Sequence, residues 1–201
     1  MDIKEMILFP TFAYGVDNFL NEKEKNKLLK YVLKQEKHLD HIFQTDGLDH
    51  NKKIYKCLSD KIKIACKDIF NYQKLIYDQF EITGMWTNIV NENNNLRPHT
   101  HSNNFLSGVY YLQTDDNSPN IVFIDPRQQS NLIAPKASER TIHNSSIWWI
   151  KPKQNTVIFF PSWLQHYVES SKSKEKRISI AFNIMFKGLI GSTEDLTQSN
   201  F

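Results

Sequence analysis

From Leu75 onward the chain consists of short apolar runs separated by clusters of Asn, Asp, Ser, Pro and Gly. Short runs rich in β-branched and aromatic residues, punctuated in this way, are typical of the strands of a β-sandwich or barrel. The predicted strands are residues 74–77, 82–90, 106–113, 121–124, 147–151, 156–160 and 177–186. A mainly β fold is therefore expected for the larger part of the chain.

Two amphipathic helices are predicted before this region. Asn21 and Glu24 form the N-x-x-E pattern of a helix start, and the first helix should run to about Lys37. The second should run from about Lys52 to Phe70. Each has apolar residues at the spacing of one helical face, namely Leu28, Leu29, Val32 and Leu33 in the first helix and Ile54, Leu58, Ile62, Cys66 and Ile69 in the second. Both helices should pack against the outside of the β core.

We expect one domain over residues 1–201, because no linker divides the chain and a single barrel with flanking helices can have this length. Residues 7–14 should form a short extended lead-in segment. Residues about 17–70 should be the helical support and residues about 74–187 the β core. The polar residues from about 192 to 201 should be frayed.

Composition and charge exclude several classes of protein. Cys57 and Cys66 lie nine residues apart in a predicted helix, so they form neither a zinc CxxC site nor a disulfide, and reduced thiols fit the cytoplasm. The net charge of +3 is spread along amphipathic segments, so nucleic acid binding is not indicated. No apolar run is long enough for a membrane span, and residues 1–9 lack the pattern of a secretory signal. A cytoplasmic protein is expected.

Two histidines stand shortly before the strongest predicted strand, residues 106–113. The run RPHTH occupies positions 97–101, and its proline favours extended geometry in the residue before it. Positions two apart face the same side of an extended backbone. His99 and His101 are therefore candidates to chelate one metal ion in the interior of a barrel.

A third histidine follows the apolar strand predicted for residues 156–160. A turn that begins at Pro161 carries His166 just beyond this strand. A buried strand that ends in such a turn can deliver a side chain over the mouth of a barrel. His166 is therefore a third candidate metal ligand.

The last predicted strand carries a candidate anion-binding pair. Arg177 opens this strand, and Arg177 and Ser179 alternate with apolar residues, so both should face one side. A guanidinium can bind a carboxylate through two parallel hydrogen bonds, and a neighbouring hydroxyl can donate to the same group. The pair suits a ligand with a carboxylate.

Together these elements resemble the iron(II)/2-oxoglutarate oxygenases, whose pattern is His-x-acid, then a distal His, then an Arg or Lys followed by x-Ser. The chain has His99-x-His101, LSGVYYL at 106–112, IVFIDPR at 121–127, FFPSWLQH at 159–166 and RISIAFN at 177–183. The blocks look like an oxygenase family of marine bacteria and their phages, related to prolyl and aspartyl/asparaginyl hydroxylases. The match covers about residues 86–186.

The resemblance implies a double-stranded β-helix, a jelly-roll and cupin-like barrel of two sheets with the helices on its outer face. It implies an enzyme that binds Fe(II) and 2-oxoglutarate and uses dioxygen to hydroxylate a C–H bond, while 2-oxoglutarate becomes succinate and CO2. His99, His101, His166 and Arg177 would be the catalytic set, with Arg177 and Ser179 on the distal carboxylate of 2-oxoglutarate. A polypeptide side chain is the favoured substrate.

The chain departs from the family pattern at His101, where Asp or Glu is usual. Three arrangements stay open: a site of His99, His101 and His166, a site of two histidines completed by water, or a site in which Asp125 supplies a carboxylate. All three suit a metal ion of borderline softness and leave coordination positions open for 2-oxoglutarate and dioxygen. We favour the three-histidine site.

Several further residues are candidates for the same site. Asn88 lies on the strand before the histidines and could reach the cosubstrate. Tyr110 and Tyr111 face opposite sides of one strand, so one lines the site while the other packs in the core, and Tyr110 is our candidate. Asp125 and Arg127 could form an internal ion pair.

The long polar connection 125–146 is predicted to be a lid or an insert. Trp148, Trp149 and Trp163 are predicted to be walls of the core or of the pocket rather than a stacking platform for bases.

Two other functions stay open. A cupin-type metal enzyme that does not use 2-oxoglutarate also carries HxH on a barrel, but it normally places a Glu shortly afterwards, where Asn104 and Phe105 stand, and it has no use for the Arg-x-Ser strand. A non-catalytic binding barrel would bind little iron. The sequence fixes neither the primary substrate nor the oligomeric state, and a homodimer is compatible with it.

Overall fold

The computed structural model describes residues 2–35, 43–127, 129 and 132–201. Its helices are α1 (Glu22–Gln35) and α2 (Lys56–Tyr72), and two 3-10 turns, Asp49–Asn51 and Lys53–Tyr55, precede α2. Its strands are β1 (Tyr14–Val16), β2 (Phe43–Gln44), β3 (Gln79–Val90), β4 (Leu96–His99), β5 (Leu106–Gln113), β6 (Ile121–Ile124), β7 (Ile147–Ile150), β8 (Val157–Pro161), β9 (His166–Val168), β10 (Arg177–Lys187), β11 (Leu189–Ile190) and β12 (Ser199–Asn200). In the described part of the chain, no helix is long and apolar enough to cross a membrane.

The first helix begins with the predicted capping box. The Asn21 side chain accepts a hydrogen bond from the Glu24 backbone N–H at 2.9 Å, and the Glu24 carboxylate accepts one from the Asn21 N–H at 3.3 Å. These contacts satisfy two backbone donors that a helix start leaves without partners. The predicted end near Lys37 lies outside the described residues.

Two antiparallel sheets form the barrel. The larger sheet has the strand order β1-β8-β5-β10-β3-β2, and the smaller sheet has the order β4-β9-β6-β7. The strands of the larger sheet present alternate side chains to its two faces. One face therefore packs against the helices, and the other packs against the smaller sheet.

The side chains on these two faces form two separate cores. The outer core joins the larger sheet to the helices, with Tyr110, Ile178 and Ile180 packed near Leu58 of α2. The inner core lies between the sheets and is built from Val109, Tyr111, Ile121, Phe123, Ile158, Phe160 and Leu164. This architecture confirms the predicted double-stranded β-helix with helices on its outer face.

The strand predicted for residues 74–77 is wrong, because these residues form the turn after α2 and the connection to β3. Lys74 has φ +58°, and the Leu75 N–H donates to the Phe70 carbonyl at 3.0 Å. This is the αL termination that satisfies the last carbonyls of a helix. The start of α2 also differs, since residues 49–55 form the two 3-10 turns and the helix begins at Lys56 instead of Lys52.

The C-terminal residues also differ from the expectation of a frayed tail. β12 pairs with β11, and Gly188 and Phe201 exchange two backbone hydrogen bonds of 2.9 and 3.1 Å. Gly191, with φ +88°, allows the chain to turn between the two strands. Backbone pairing over a distance of ten residues is not visible in a polar composition.

Gly108 generates a prediction about stability. It lies in β5 opposite Phe182, and an added Cβ would overlap the Phe182 ring and stand 2.6 Å from the Ile158 carbonyl oxygen. Gly108→Ala should therefore lower the free energy of unfolding by about 1–3 kcal/mol or more through overpacking. Denaturant unfolding followed by circular dichroism measures the change.

Gly15→Ala is the matched control. Gly15 also lies in a strand of the larger sheet, but its added Cβ would be 4.0 Å from its nearest neighbour, the Val157 oxygen. This variant should be neutral or slightly stabilising, since alanine restricts the unfolded chain. Equal effects of the two substitutions would contradict the close approach at Gly108.

Candidate metal centre and cosubstrate site

Strand pairing in the smaller sheet brings the three predicted histidines together. His99 at the end of β4 and His166 at the start of β9 are direct cross-strand partners. His101 follows β4, and its backbone N–H donates to the Ser162 carbonyl at 2.9 Å. One ligand atom from each of the three side chains lies within 4.8 Å of the other two.

Backbone carbonyls fix the tautomers of two of these imidazoles. The Nδ1 of His99 lies 2.7 Å from the Arg97 oxygen, and the Nδ1 of His166 lies 2.9 Å from the Leu164 oxygen. A carbonyl oxygen only accepts, so each Nδ1 carries the proton and each Nε2 keeps its lone pair. The Nε2 atoms of His101 and His166 are 3.3 Å apart, so ring nitrogens of the three histidines converge on one point.

Burial keeps the imidazoles of His101 and His166 neutral. It lowers the pKa of His101 to about 4, with the charges of His166 and His99 acting in the same direction. It also lowers the pKa of His166 to about 4, although the hydrogen bond to Leu164 opposes the shift. Neutral imidazole is the form that binds metal ions, so these side chains are ready to act as ligands near neutral pH.

Arg177 is a buried cation. It is 1% exposed, its guanidinium donates to the Ser179 hydroxyl at 3.0 Å, and its Cζ lies 5.1 Å from the centre of the Tyr111 ring. No carboxylate in the described part of the chain forms a salt bridge with it. A buried charge without a counter-ion is costly, so this position calls for an anion.

Three unsatisfied polar atoms belong to this guanidinium and to side chains on the two neighbouring strands. Five buried side-chain polar atoms in the described residues have no hydrogen-bond partner, and Arg177 Nε, Tyr111 Oη and Asn88 Oδ1 are three of them. Tyr111 and Asn88 are the cross-strand partners of Ser179 on β5 and β3. The four side chains therefore form one cradle, which we call the Arg177 cradle, on the inner face of the larger sheet.

Tyr111 occupies the place that the sequence interpretation gave to Tyr110. The Tyr110 hydroxyl donates to Asn155 Oδ1 at 2.8 Å, and its ring packs in the outer core, on the other face of β5 from Arg177. Because side chains alternate along β5, one of the two tyrosines must face the site. Which of them does so depends on which face of the larger sheet the helices cover. Burial raises the pKa of Tyr111, so its hydroxyl stays protonated and can donate.

Residues 84–183 match the model of the family described as "Putative 2OG-Fe(II) oxygenase". The matched segment contains the three histidines and the whole Arg177 cradle. This chain belongs to the 2-oxoglutarate-dependent iron(II) oxygenases. It is therefore an enzyme whose cofactor is iron(II) and whose cosubstrate is 2-oxoglutarate.

Solved structures of other proteins have the same fold. The α-ketoglutarate-dependent epimerase SnoN of nogalamycin biosynthesis has a TM-score of 0.64 and 11% identity, over 87% of this chain and 76% of its own. The viral collagen prolyl hydroxylase of Paramecium bursaria Chlorella virus-1 has a TM-score of 0.59 and 16% identity, over 86% and 94%. A Pseudomonas putida prolyl-4-hydroxylase has a TM-score of 0.60 and 12% identity, over 89% of both chains. No curated protein matches the chain by sequence.

The residues of this oxygenase fit both small partners of the family. Converging imidazole nitrogens suit iron(II), and backbone carbonyls set the tautomers of His99 and His166 without a metal ion. The Arg177 cradle offers a guanidinium, two hydroxyls and an amide, and it lacks the anion that the buried charge requires. A carboxylate of 2-oxoglutarate would supply this anion.

Asp125 does not belong to the histidine cluster in this oxygenase. Its carboxylate accepts hydrogen bonds from Arg127 Nε at 3.0 Å and from Arg127 NH2 at 2.8 Å. The internal ion pair that was expected between these residues is therefore present. A role for Asp125 as a ligand would require this pair to open.

Two tryptophans are placed by the fold near the histidines. Phe123 of β6 is the cross-strand partner of both His166 and Trp148, so Trp148 lies in register with His166 on the edge strand β7. The Trp86 ring, for which the sequence gave no signal, lies 5.6 Å from the His101 ring. Trp148, Trp149 and Trp163 are well exposed, so they are not core walls, and their predicted place in the wall of the pocket stays a prediction.

Proposed function

We propose that this oxygenase hydroxylates a C–H bond of a polypeptide side chain, with His99, His101 and His166 as its iron ligands. The distal carboxylate of 2-oxoglutarate would bind Arg177, Ser179, Tyr111 and Asn88. The observation that carries this proposal is the buried guanidinium without a counter-ion, on a face that looks toward the sheet of the three histidines.

The three-histidine arrangement is the best supported of the three that the sequence leaves open. The Nε2 atoms of His101 and His166 are 3.3 Å apart, so a metal ion that displaces the shared proton could bind both ring nitrogens. A neutral imidazole in place of a carboxylate makes the site one unit more positive than a His-acid-His site. Such a site should hold an anionic cosubstrate more firmly.

The chain's own contribution to the reaction is positioning and exclusion of water. Bound iron and 2-oxoglutarate would supply the oxidising chemistry by which dioxygen hydroxylates a substrate. The Arg97 and Leu164 carbonyls hold the His99 and His166 rings in place. The Arg177 cradle would fix one end of the cosubstrate, and Phe123 and Phe160, whose rings lie 6.0 and 4.6 Å from His166, exclude water beside that ligand.

An open sheet edge beside His99 supports a polypeptide substrate. β4 is an edge strand of the smaller sheet, and His99, Pro98 and Arg97 are exposed on it. An extended peptide can add to such an edge, about 4.8 Å from the strand. This distance would place a substrate side chain next to the histidine cluster.

The remaining expectations also stay proposals. They are a single domain over residues 1–201, a cytoplasmic location, an origin in marine bacteria or their phages, and a homodimer. Dioxygen is proposed as a reactant because the chemistry of the family uses it.

Iron content tests the ligand set. Loss of a group that is hydrogen-bonded to a metal ligand weakens metal binding roughly 10- to 100-fold. His99→Ala and His166→Ala remove the proposed ligands themselves, so each should weaken iron binding by more than this. His101→Ala should also lose iron, whereas His101→Asp should keep it because a carboxylate replaces the imidazole. Metal analysis after anaerobic loading measures the content, with the exposed His143→Ala as the control.

The same measurement distinguishes the alternatives. If both His101 variants keep iron, water completes a two-histidine site. If Asp125→Ala empties the site, Asp125 is the carboxylate ligand. Full iron content in both His99→Ala and His166→Ala would contradict all three arrangements.

Arg177→Met tests the cosubstrate anchor. Loss of one partner of a buried charge pair should weaken 2-oxoglutarate binding by about 2–5 kcal/mol. Without 2-oxoglutarate, the variant should be as stable as the original chain or more stable, because an apolar side chain replaces an uncompensated buried charge. Thermal unfolding with and without 2-oxoglutarate measures both effects.

The exposed Arg140→Met is the control for charge alone and should keep its stabilisation by 2-oxoglutarate. Arg177→Lys should fall between the two, since it retains the charge and loses the planar fork. An Arg177→Met protein that unfolds without 2-oxoglutarate would make Arg177 a structural residue.

Substrate class is tested with the iron-loaded chain and 2-oxoglutarate. Unstructured polypeptides should stimulate succinate release more than their free amino acids at equal residue concentration. Mass spectrometry should find one added oxygen atom on a peptide side chain. Stimulation by free amino acids alone would overturn the polypeptide proposal and leave the oxygenase chemistry intact.

A further inference from the structure

An apolar groove lies on the outer side of the molecule. None of its lining residues belongs to the histidine cluster or to the Arg177 cradle. The groove has a volume of about 660 Å³ and lies between β1 and α2. Its apolar lining consists of Phe12, Val16, Phe19, Ile64, Ile69 and Tyr72. Ile64 is 61% exposed and Tyr72 is 75% exposed, so their own chain leaves these side chains in contact with water.

The segment before the groove is also apolar and also uncovered. Residues 2–9, which we call the arm, carry five large apolar side chains that are all strongly exposed, and these are Ile3, Met6, Ile7, Leu8 and Phe9. Phe9 is 91% exposed. The arm therefore does not use its own groove, although Phe12, three residues later, lines it.

The backbone turns the arm away from the groove of its own chain. Phe9 has φ +52°, which is uncommon for a bulky residue, and Pro10 restricts the backbone conformation of Phe9 further. The Glu5 carboxylate lies 3.7 Å from His143, in the loop before β7. This places the arm beside the 125–146 connection instead of over α2.

We propose that the arm of one copy occupies the groove of a second copy, so that two chains form a dimer by exchanging arms. Each copy carries both halves of the contact, and the arm begins at the groove. A two-fold axis near Phe12 would therefore close both contacts at once without leaving a free arm.

The open edge of β1 supports this occupant. β1 is an edge strand of the larger sheet, with β8 on one side only. An extended arm from a second copy can pair its backbone with this edge while its side chains enter the groove. Backbone pairing would satisfy the N–H and C=O groups of the arm, which would lack hydrogen-bond partners in an apolar groove alone.

The proposed contact involves many side chains of each copy. A standard interface buries about 800 Å² on each partner. Each copy would contribute the five exposed arm side chains and the exposed groove residues Phe12, Ile64 and Tyr72. A single exposed side chain would not reach this size, so the combination of arm and groove carries the proposal.

The test is the mass of the full-length, untagged chain in solution by light scattering coupled to size exclusion. The original chain should be a dimer at micromolar concentration. Phe9→Asp in the arm and Ile64→Asp in the groove should each weaken dimerisation at least about a hundredfold and give monomers. Leu196→Asp, which changes another apolar residue that is 93% exposed, should remain a dimer.

Mixing the two variants distinguishes arm exchange from any other dimer. The Phe9→Asp chain keeps an intact groove and the Ile64→Asp chain keeps an intact arm, so an equal mixture should recover dimers through one complete contact. Tyr72→Lys replaces Ile64→Asp if that variant does not fold, as judged by circular dichroism. Iron and 2-oxoglutarate binding should be unchanged in all of these variants, so this test is independent of the proposed function.

Three outcomes would overturn the proposal. The first is a monomeric original chain at the highest soluble concentration, and the second is a dimer that both variants leave intact. The third is a mixture that stays monomeric. A monomer in which Phe9→Asp alone lowers the melting temperature would show that the arm occupies its own groove.

Discussion

The uncompensated charge of Arg177 is the constraint on which the rest of the site depends. A guanidinium that is almost completely buried needs a rigid position and an anion, because desolvation of the charge is expensive. β10 provides the position, since it pairs with β3 along eleven residues and with β5 on its other side. The anion must come from outside, because the described carboxylates are elsewhere. The charge of Arg177 is therefore balanced only when this site binds an anion.

The period of two along each strand lets one sheet serve two purposes. On β10, Ile178 and Ile180 pack against the helices, while Arg177 and Ser179 face the smaller sheet. On β5, Tyr110 belongs to the helix side and Tyr111 to the site. Stability and chemistry thus share the same strands, although Tyr111 belongs to both the inner core and the Arg177 cradle. The larger sheet can hold polar groups on one face because its other face is a continuous apolar core.

The smaller sheet brings His99 and His166 together through strand register. They meet because β4 and β9 pair at these residues, and a slip of β4 by one residue would turn His99 to the face opposite His166. Two backbone carbonyls then fix their tautomers. His101 depends on a different contact, the hydrogen bond of its backbone to Ser162, which explains how a residue beyond the strand reaches the same point. An imidazole at this position keeps the ligand geometry and changes the charge of the site.

The sequence by itself determined the strands β3, β5, β6, β7, β8 and β10 to within a few residues, the capping box at Asn21 and the histidine and arginine pattern, because these depend on neighbours along the chain. The resemblance added the double-stranded β-helix. Only the tertiary structure decided that Tyr111 rather than Tyr110 faces Arg177, that residues 74–77 end a helix, and that β12 returns to β11. It alone revealed the unsatisfied atoms of the Arg177 cradle and the register of Trp148 with His166. The physical reason is that alternation fixes which side chains share a face, whereas the packing of distant segments decides which face is buried and against what.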